Sequence, residues 1–246
     1  MKIGYEIRRL PSCGSTMDEV RALALAGAPE GVAVAAEEQT AGRGTKGRAW
    51  HSPPGTGLYV TFLFRPRSGQ ALLPLAVGVA LHGAAAEAAP VVRLKWPNDL
   101  VWKGRKIAGI LCEGGAEPGA GRFVTAGIGI NVGQTSADFP PELAGRSASL
   151  RMAAGREVDR EALLTRLCGA LDTWYNALTS GTGEEIIRAF EAGMIFARGD
   201  RIALDAAGAR IEGTYLGLDA LGGLVCETAA GRKTYYSAEI GPPGRG

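Results

Sequence analysis

Past Gly199 the apolar pattern of the chain changes, and that change limits what the chain can fold into. Arg201-Ile-Ala-Leu, Ile211-Glu-Gly-Thr-Tyr-Leu, Gly223-Leu-Val-Cys-Glu-Thr and Thr234-Tyr-Tyr are short β-prone runs. Turns at Ala207-Gly208, Leu221-Gly222-Gly223 and Ala230-Gly231 separate them, at the roughly 8–12-residue spacing of a small antiparallel barrel. Before the change, strand-like and helix-like stretches alternate. The boundary falls near residue 197. The pattern predicts an α+β chain, with residues 1–197 forming a mixed β-sheet flanked by helices and residues 198–246 a small C-terminal β-barrel.

Within the first part, Ser15 or Thr16 suits a helix N-cap, with Asp18 and Glu19 three residues on. Leu58-Tyr-Val-Thr-Phe-Leu-Phe64 reads as a buried strand ended by Pro66. Residues 71–88 form an Ala-rich helix with Pro74 near its first turn, and His82 on it reads as structural. Val91–Lys95 is a strand, and Leu100–Trp102 with Lys106–Cys112 a hairpin. Phe123–Val132 is a Gly-rich strand, 134–157 is irregular, and Asp159–Leu178 and 184–193 are helices.

Charge and cysteine usage exclude several classes of function. The chain carries 27 Lys+Arg against 25 Asp+Glu, a net +2, so bulk charge suggests neither nucleic acid nor a membrane surface as partner. Four dispersed cysteines and two histidines, with no C-x-x-C, give no metal site and no disulfide framework. The longest apolar run, Leu75–Leu81, is too short to cross a bilayer, and the first residues lack a signal core. A cytoplasmic protein with reduced thiols is expected.

Three segments carry chemistry. Residues 39–57 hold five glycines, two prolines and three basic residues without an apolar period, and a loop of that length is usually functional. Gly42, Gly44 and Gly47 spell G-x-G-x-x-G, but a strand follows where a dinucleotide fingerprint needs a helix. A phosphate-binding P-loop fails too, because Arg48 and Ala49 replace its Lys and Ser/Thr. What remains is cations among glycines: backbone N–H groups can approach an anion there and Arg can fork onto phosphate. The alternative is a solvated basic loop.

Residues 91–110 contain five cations and one acid. Lys95 and Lys106 flank the hairpin, so both can face one site; the alternative is an ordinary charged hairpin over a core Trp96. Trp102 reads as core. Ala126-Gly-Ile-Gly-Ile-Asn131 has glycines inside a strand, which marks close approach of a ligand or tight sheet packing. Asn131 there offers an amide that can read a base edge.

Together the strings Ser15-Thr16, Gln39-Thr-Ala-Gly-Arg-Gly-x-x-Gly-Arg-x-Trp50, Leu58-Tyr59, Lys95-Trp-Pro-Asn-Asp99, Arg105-Lys-Ile-Ala-Gly-Ile-Leu111 and Gly127-Ile-Gly-Ile-Asn131 resemble the biotin protein ligases, in the family's order, over about residues 10–240. The resemblance implies a fold like class II aminoacyl-tRNA synthetases, with a C-terminal SH3-like barrel. It implies two steps: biotin's carboxylate attacks the α-phosphate of ATP, releasing pyrophosphate, and the biotinyl-5′-AMP then acylates a lysine of a biotin carboxyl carrier protein. Magnesium would accompany ATP, held mostly by phosphates and water, and no cofactor would be permanently bound.

Residue by residue, the resemblance implies that Ser15, Thr16 and Gln39 hold biotin's ureido ring and that Arg43 and Gly44 wrap biotin and the adenylate. Arg48 would pair with phosphate, Trp50 would order over the adenylate, Lys95 and Asn98 would lie on the phosphate side, and Asn131 would face adenine. Lys106 would bridge biotin's carboxyl and the α-phosphate as the leading catalytic group, with Arg43 beside it; Asp99 would orient a cation or the incoming lysine. The loop 39–57 would close over the adenylate and keep water out. Met17 stands where the family often has Asn, leaving one polar contact to biotin's ring unfilled. Thr45 stands where a third Arg is common, which predicts faster leakage of the adenylate.

Some members are also repressors with an N-terminal winged helix-turn-helix. Only about 14 residues precede Ser15, so the monofunctional form without nucleic acid is expected. Members include monomers and dimers that pair through sheet edges, which leaves a homodimer open. A lipoate or octanoate ligase or transferase of related fold, and a non-catalytic binding module, are the other readings. The Gly-Arg-Gly-x-x-Gly-Arg and Lys-Trp-Pro-Asn-Asp strings oppose the former, and retention of Lys106 with Arg43 opposes the latter.

Overall fold

The computed structural model describes residues 2–117, 121–206 and 208–243. The turn expected at Ala207-Gly208 lies in part outside them. Seven strands build the main sheet: β1 (Glu6–Leu10), β2 (Val32–Ala36), β3 (Gly57–Phe64), β4 (Arg93–Lys95), β5 (Asp99–Trp102), β6 (Arg105–Glu117) and β7 (Gly121–Asn131), in spatial order β1-β2-β3-β7-β6-β5-β4. Only β1 and β2 run parallel; the other pairs are antiparallel, so the sheet is mixed as expected.

Strand β3 is buried along its whole length because both of its faces are covered. On one face Leu58, Val60, Phe62 and Phe64 belong to one apolar core with α2 (Leu73–Ala86), α4 (Arg160–Ser180) and α5 (Gly183–Gly193). Helix α2 is apolar on nearly every side and lies inside that layer, as an all-round apolar helix must. On the other face Leu63 packs with Val32, Val34 and Phe123 beneath α1 (Thr16–Leu25), which contributes Val20 and Ala24. Helix α1 is short and covers only part of this face; the uncovered part becomes the site.

The capping box read from the sequence does not form. Ser15 caps α1 by accepting the Met17 N–H, whereas Asp18 turns to a distant arginine. Strand β6 runs beyond Cys112, through Gly114 and Gly115, whose lack of side chains hides the alternation. The segment read as irregular contains α3 (Leu150–Ala154), capped by Ser149 and ended at Gly155. At five residues it is too short to show a helical period.

After α5 come β8 (Arg201–Ala206), β9 (Ala209–Leu218), β10 (Leu224–Thr228), β11 (Gly231–Tyr235) and β12 (Glu239–Gly241), ordered β11-β10-β9-β8-β12. Among the described residues no pairing joins β11 to β12, so the sheet is open where the strand spacing predicted a closed barrel. Strand spacing reports sequential hairpins; closure depends on a non-sequential pairing that leaves no local trace. This sheet is stitched to the first part of the chain. Trp96 Nε1 donates to Gly222 O at 3.0 Å and the Tyr215 hydroxyl to Glu191 at 2.9 Å. The apolar core runs without a break into Ile202, Leu204, Tyr215 and Leu224.

Candidate active site

The floor of the site is made by absent side chains. Gly109 and Gly129 face each other across β6 and β7, and Gly127 follows two residues before. The intervening Ile110, Ile128 and Ile130 point into the core. Alternation thus gives one strand pair an apolar underside and a bare upper face. Side chains settle onto that face. A Cβ on Gly129 would run into the Trp50 indole, and one on Gly127 would lie 2.6 Å from Met17 Sδ. The Gly109 site is closed by the end of Lys106, at 2.9 Å, and by the Trp50 ring. The strand glycines therefore mark close approach, as their spacing suggested.

The loop 39–57 folds back over this floor as a small flap. Trp50 N donates to Gly42 O at 2.9 Å and Gly44 N to Arg48 O at 2.7 Å, with Thr45–Gly47 as the turn. Gln39 ties the flap to α1: its Oε1 accepts from Thr16 N (2.9 Å) and Thr16 Oγ1 (3.1 Å), and its Nε2 donates to Ser52 Oγ at 2.9 Å. Trp50 Nε1 is buried with no hydrogen-bond partner. Such a donor is a place for an acceptor that the protein does not itself provide.

Flap and floor bound a narrow cleft, open on one side. Ser15, Thr16, Met17 and Gln39 form its closed end, and Arg43, Gly44, Thr45 and Trp50 its roof. Asn98 and Lys106 stand at its mouth. The two basic stretches singled out in the sequence thus converge on one space. Arg43 forks onto Asp18 at 2.6 and 2.8 Å and lies 3.8 Å from Glu113. The Arg43 guanidinium holds the Asp18 carboxyl below its ordinary value, and Asp18 in turn raises Arg43. Lys106 Nζ lies 2.6 Å from Asp99 Oδ1 and 5.3 Å from the centroid of the Trp50 ring. Its backbone is fixed on both sides, N to Arg146 O and O to Ala148 N, each at 2.9 Å.

Through Thr45, Asn98 and Lys106 the cavity adjoins a wider outer groove of about 710 Å³, open to solvent. Lys95, Lys46, Arg48 and Arg146 line it, with Tyr236 and Glu239 from the C-terminal sheet. Arg48 pairs with Glu239 at 2.8 Å. Asn98 is held by mutual bonds with Ile110, Nδ2 to O at 2.7 Å and N to O at 2.9 Å. Asn131 lines neither space: it is buried, and its Nδ2 donates to Ala148 O at 3.1 Å. Sequence reasoning missed Asp18, Glu113 and Arg146. Asp18 looked like a helix-cap acid, Glu113 becomes a partner only through strand register, and Arg146 sits in a segment without periodicity.

The chain matches the Biotin/lipoate A/B protein ligase family over residues 11–131. It is 37% identical to the bifunctional ligase/repressor BirA of Bacillus subtilis over 235 residues, 92% of this chain and 70% of that one. The chain belongs to the biotin/lipoate protein ligase family. Another member, the biotin–[acetyl-CoA-carboxylase] ligase of Paracoccus denitrificans, is 36% identical over 215 residues, 84% of this chain and 88% of its own length. Among solved structures, the family's biotin protein ligase from Aquifex aeolicus in complex with biotin and ATP superposes with a TM-score of 0.83 at 29% identity, covering 96% of this chain and 98% of that one. No helix among the described residues is long and apolar enough to cross a membrane.

Proposed function

We propose that this chain is an ATP-dependent biotin protein ligase that forms biotinyl-5′-AMP and passes biotin to a lysine of a biotin carboxyl carrier protein. The observation that carries the reading is the convergence of Arg43 and Lys106, from distant stretches, on one cleft that continues into an outer groove.

In this reading the uncharged bicyclic ring lies at the closed end among Ser15, Thr16, Met17 and Gln39. Its carboxylate reaches the mouth, where Lys106 stands. The triphosphate lies along the groove, near Lys95, Asn98 and Arg48. In the first step a carboxylate oxygen of biotin bonds to the α-phosphorus and the bond to the bridging oxygen of pyrophosphate breaks. Two anions must approach each other, so a fixed ammonium touching both lowers the barrier, and one such preorganised donor is worth about 3–4 kcal/mol. Asp99 holds that ammonium in place beforehand, so little reorganisation is needed on binding. In the second step the lysine amine of the carrier attacks the acyl carbon and AMP leaves. Trp50 and the flap shield the anhydride from water. Magnesium enters with ATP as part of the substrate, and Asn131 acts through the backbone it braces at Ala148. Residues 1–197 supply biotin and nucleotide contacts in this reading, and residues 198–246 form a smaller unit that lends Tyr236 and Glu239 to the groove and, by the resemblance, corresponds to the family's SH3-like barrel.

The test is biotin-dependent exchange of pyrophosphate into ATP, with lipoate and octanoate as controls. Exchange with biotin alone is expected. Exchange driven by lipoate or octanoate instead would move the chain to the other branch of its family, and no exchange with any of the three would reject activation chemistry.

A further inference from the structure

Strand β3 carries a buried threonine on the face toward the cleft. Leu58, Val60, Phe62 and Phe64 point into the core, so Thr61 points the other way, in register with Gly127 of the cleft floor. A Cβ on Gly127 would lie 3.4 Å from Thr61 Oγ1. Thr61 itself is fully buried and lines neither the cleft nor the groove. Valine has the same shape and would cost less to bury, because a hydroxyl withdrawn from water needs a partner.

That partner is Thr16 Oγ1, at 2.8 Å. Distance alone allows either oxygen to donate, and the surroundings fix the direction. The Thr61 proton has no other acceptor among the described residues, and a buried proton left unpaired is costly, so Thr61 donates. Thr16 then donates its own proton to Gln39 Oε1 at 3.1 Å. The Gln39 amide is oriented independently, because Thr16 N, which can only donate, reaches the same Oε1. Gln39 Nε2 donates onward to Ser52 Oγ, and Ser52 Oγ to Trp50 O at 3.1 Å. The chain runs one way, from β3 through the start of α1 to the flap.

Thr16 therefore keeps a free lone pair and no free proton, so it can face a ligand only as an acceptor. Ser15 is its opposite. Ser15 Oγ accepts from Met17 N, and its proton has no acceptor among the described residues. An acceptor beside a donor at the closed end matches a cyclic urea, whose N–H groups flank a carbonyl.

We propose that Thr61 is a positioning residue for the bicyclic ring of biotin, holding Thr16 as an acceptor without touching the substrate; this rests on the function proposed above. Without the Thr61 proton, the Thr16 hydroxyl gains a second direction in which to turn, and its lone pair is no longer held toward the ring.

The experiment measures biotin-dependent pyrophosphate exchange in wild type, Thr61→Val and Thr61→Ser. Thr61→Val keeps the shape and removes the proton. It is expected to raise the KM for biotin about five- to tenfold, the effect of one hydrogen bond, with kcat and the KM for ATP within about twofold and the thermal midpoint unchanged. Thr61→Ser keeps the proton and should return the biotin KM to within about twofold of wild type. An unchanged biotin KM in Thr61→Val overturns the proposal. So does an equal rise in both variants, which would trace the effect to packing and not to the proton. Absence of biotin-dependent exchange in the wild type would instead overturn the functional reading itself.

Discussion

The inner cavity and the outer groove are adjacent, yet they treat charge in opposite ways. In the cavity each cation has a carboxylate: Arg43 forks onto Asp18, and Lys106 meets Asp99. In the groove Lys46, Lys95 and Arg146 have none among the described residues, while Arg48 pairs with Glu239 and the shared Lys106 with Asp99. A cavity whose charges are already balanced suits a neutral ring, which would gain nothing from a bare cation. A groove with unbalanced cations suits a polyanion, which brings its own countercharge. Lys106 lines both spaces and so stands where a carboxylate and a phosphate would have to meet. The arrangement separates recognition by shape from recognition by charge within one continuous opening.

The largest effect should come from the residue at the junction. Lys106→Ala is expected to slow biotin-dependent pyrophosphate exchange about 10²–10³-fold, the range for loss of one preorganised donor to developing charge. Biotin binding measured without ATP should change much less. Exchange at full rate in this variant would remove Lys106 from the chemistry and dissolve the distinction between junction and walls.

Much of this contrast was legible in the sequence, because both basic stretches announce themselves by composition. The strands β3 and β7 and the helices α1, α2, α4 and α5 were also legible, since each keeps one period long enough to be read. What was hidden is whatever depends on register or on distant pairing. Asp18 looks like an N-cap acid until the flap brings Arg43 to it. Glu113 lies on the cavity side only because β6 pairs in the register that sets Gly109 against Gly129. The open edge between β11 and β12, and the five-residue α3, leave no periodic trace at all. Asn131 sits in a string that the resemblance made conspicuous, yet its amide braces backbone at Ala148 and reaches neither space.

A middle-sized effect should sharpen the contrast from the groove side. Arg146→Glu places a carboxylate beside the proposed triphosphate path and removes an unpaired cation. A charge-assisted hydrogen bond is worth about 1.5–3 kcal/mol, so the KM for ATP should rise at least about tenfold. Biotin affinity in the absence of nucleotide should stay put, because Arg146 lines the groove and not the cavity. A weakening of both by the same factor would show that the two spaces are not electrostatically separate.

The smallest effect is expected from pH, and the sign follows from the pair in the cavity roof. Arg43 holds the Asp18 carboxyl below its ordinary value of 3.8, chiefly through the forked hydrogen bond. A depressed carboxyl contributes its stabilisation fully above the unfolded value and loses it as pH falls through the folded one. The Arg43–Asp18 pair should therefore be intact throughout pH 5–8, and biotin affinity should show no step there that Asp18→Asn abolishes. Both side chains are more than one-third exposed, so solvent screens the pair and the substitution itself should shift affinity by less than about fivefold at neutral pH. A titration of biotin affinity across that window in both proteins decides the matter. A step near pH 6 present in the wild type and absent in the variant would mean that the carboxyl is raised, not lowered. Arg43 would then lose its charged partner below that step, and there the cavity would be as unbalanced as the groove.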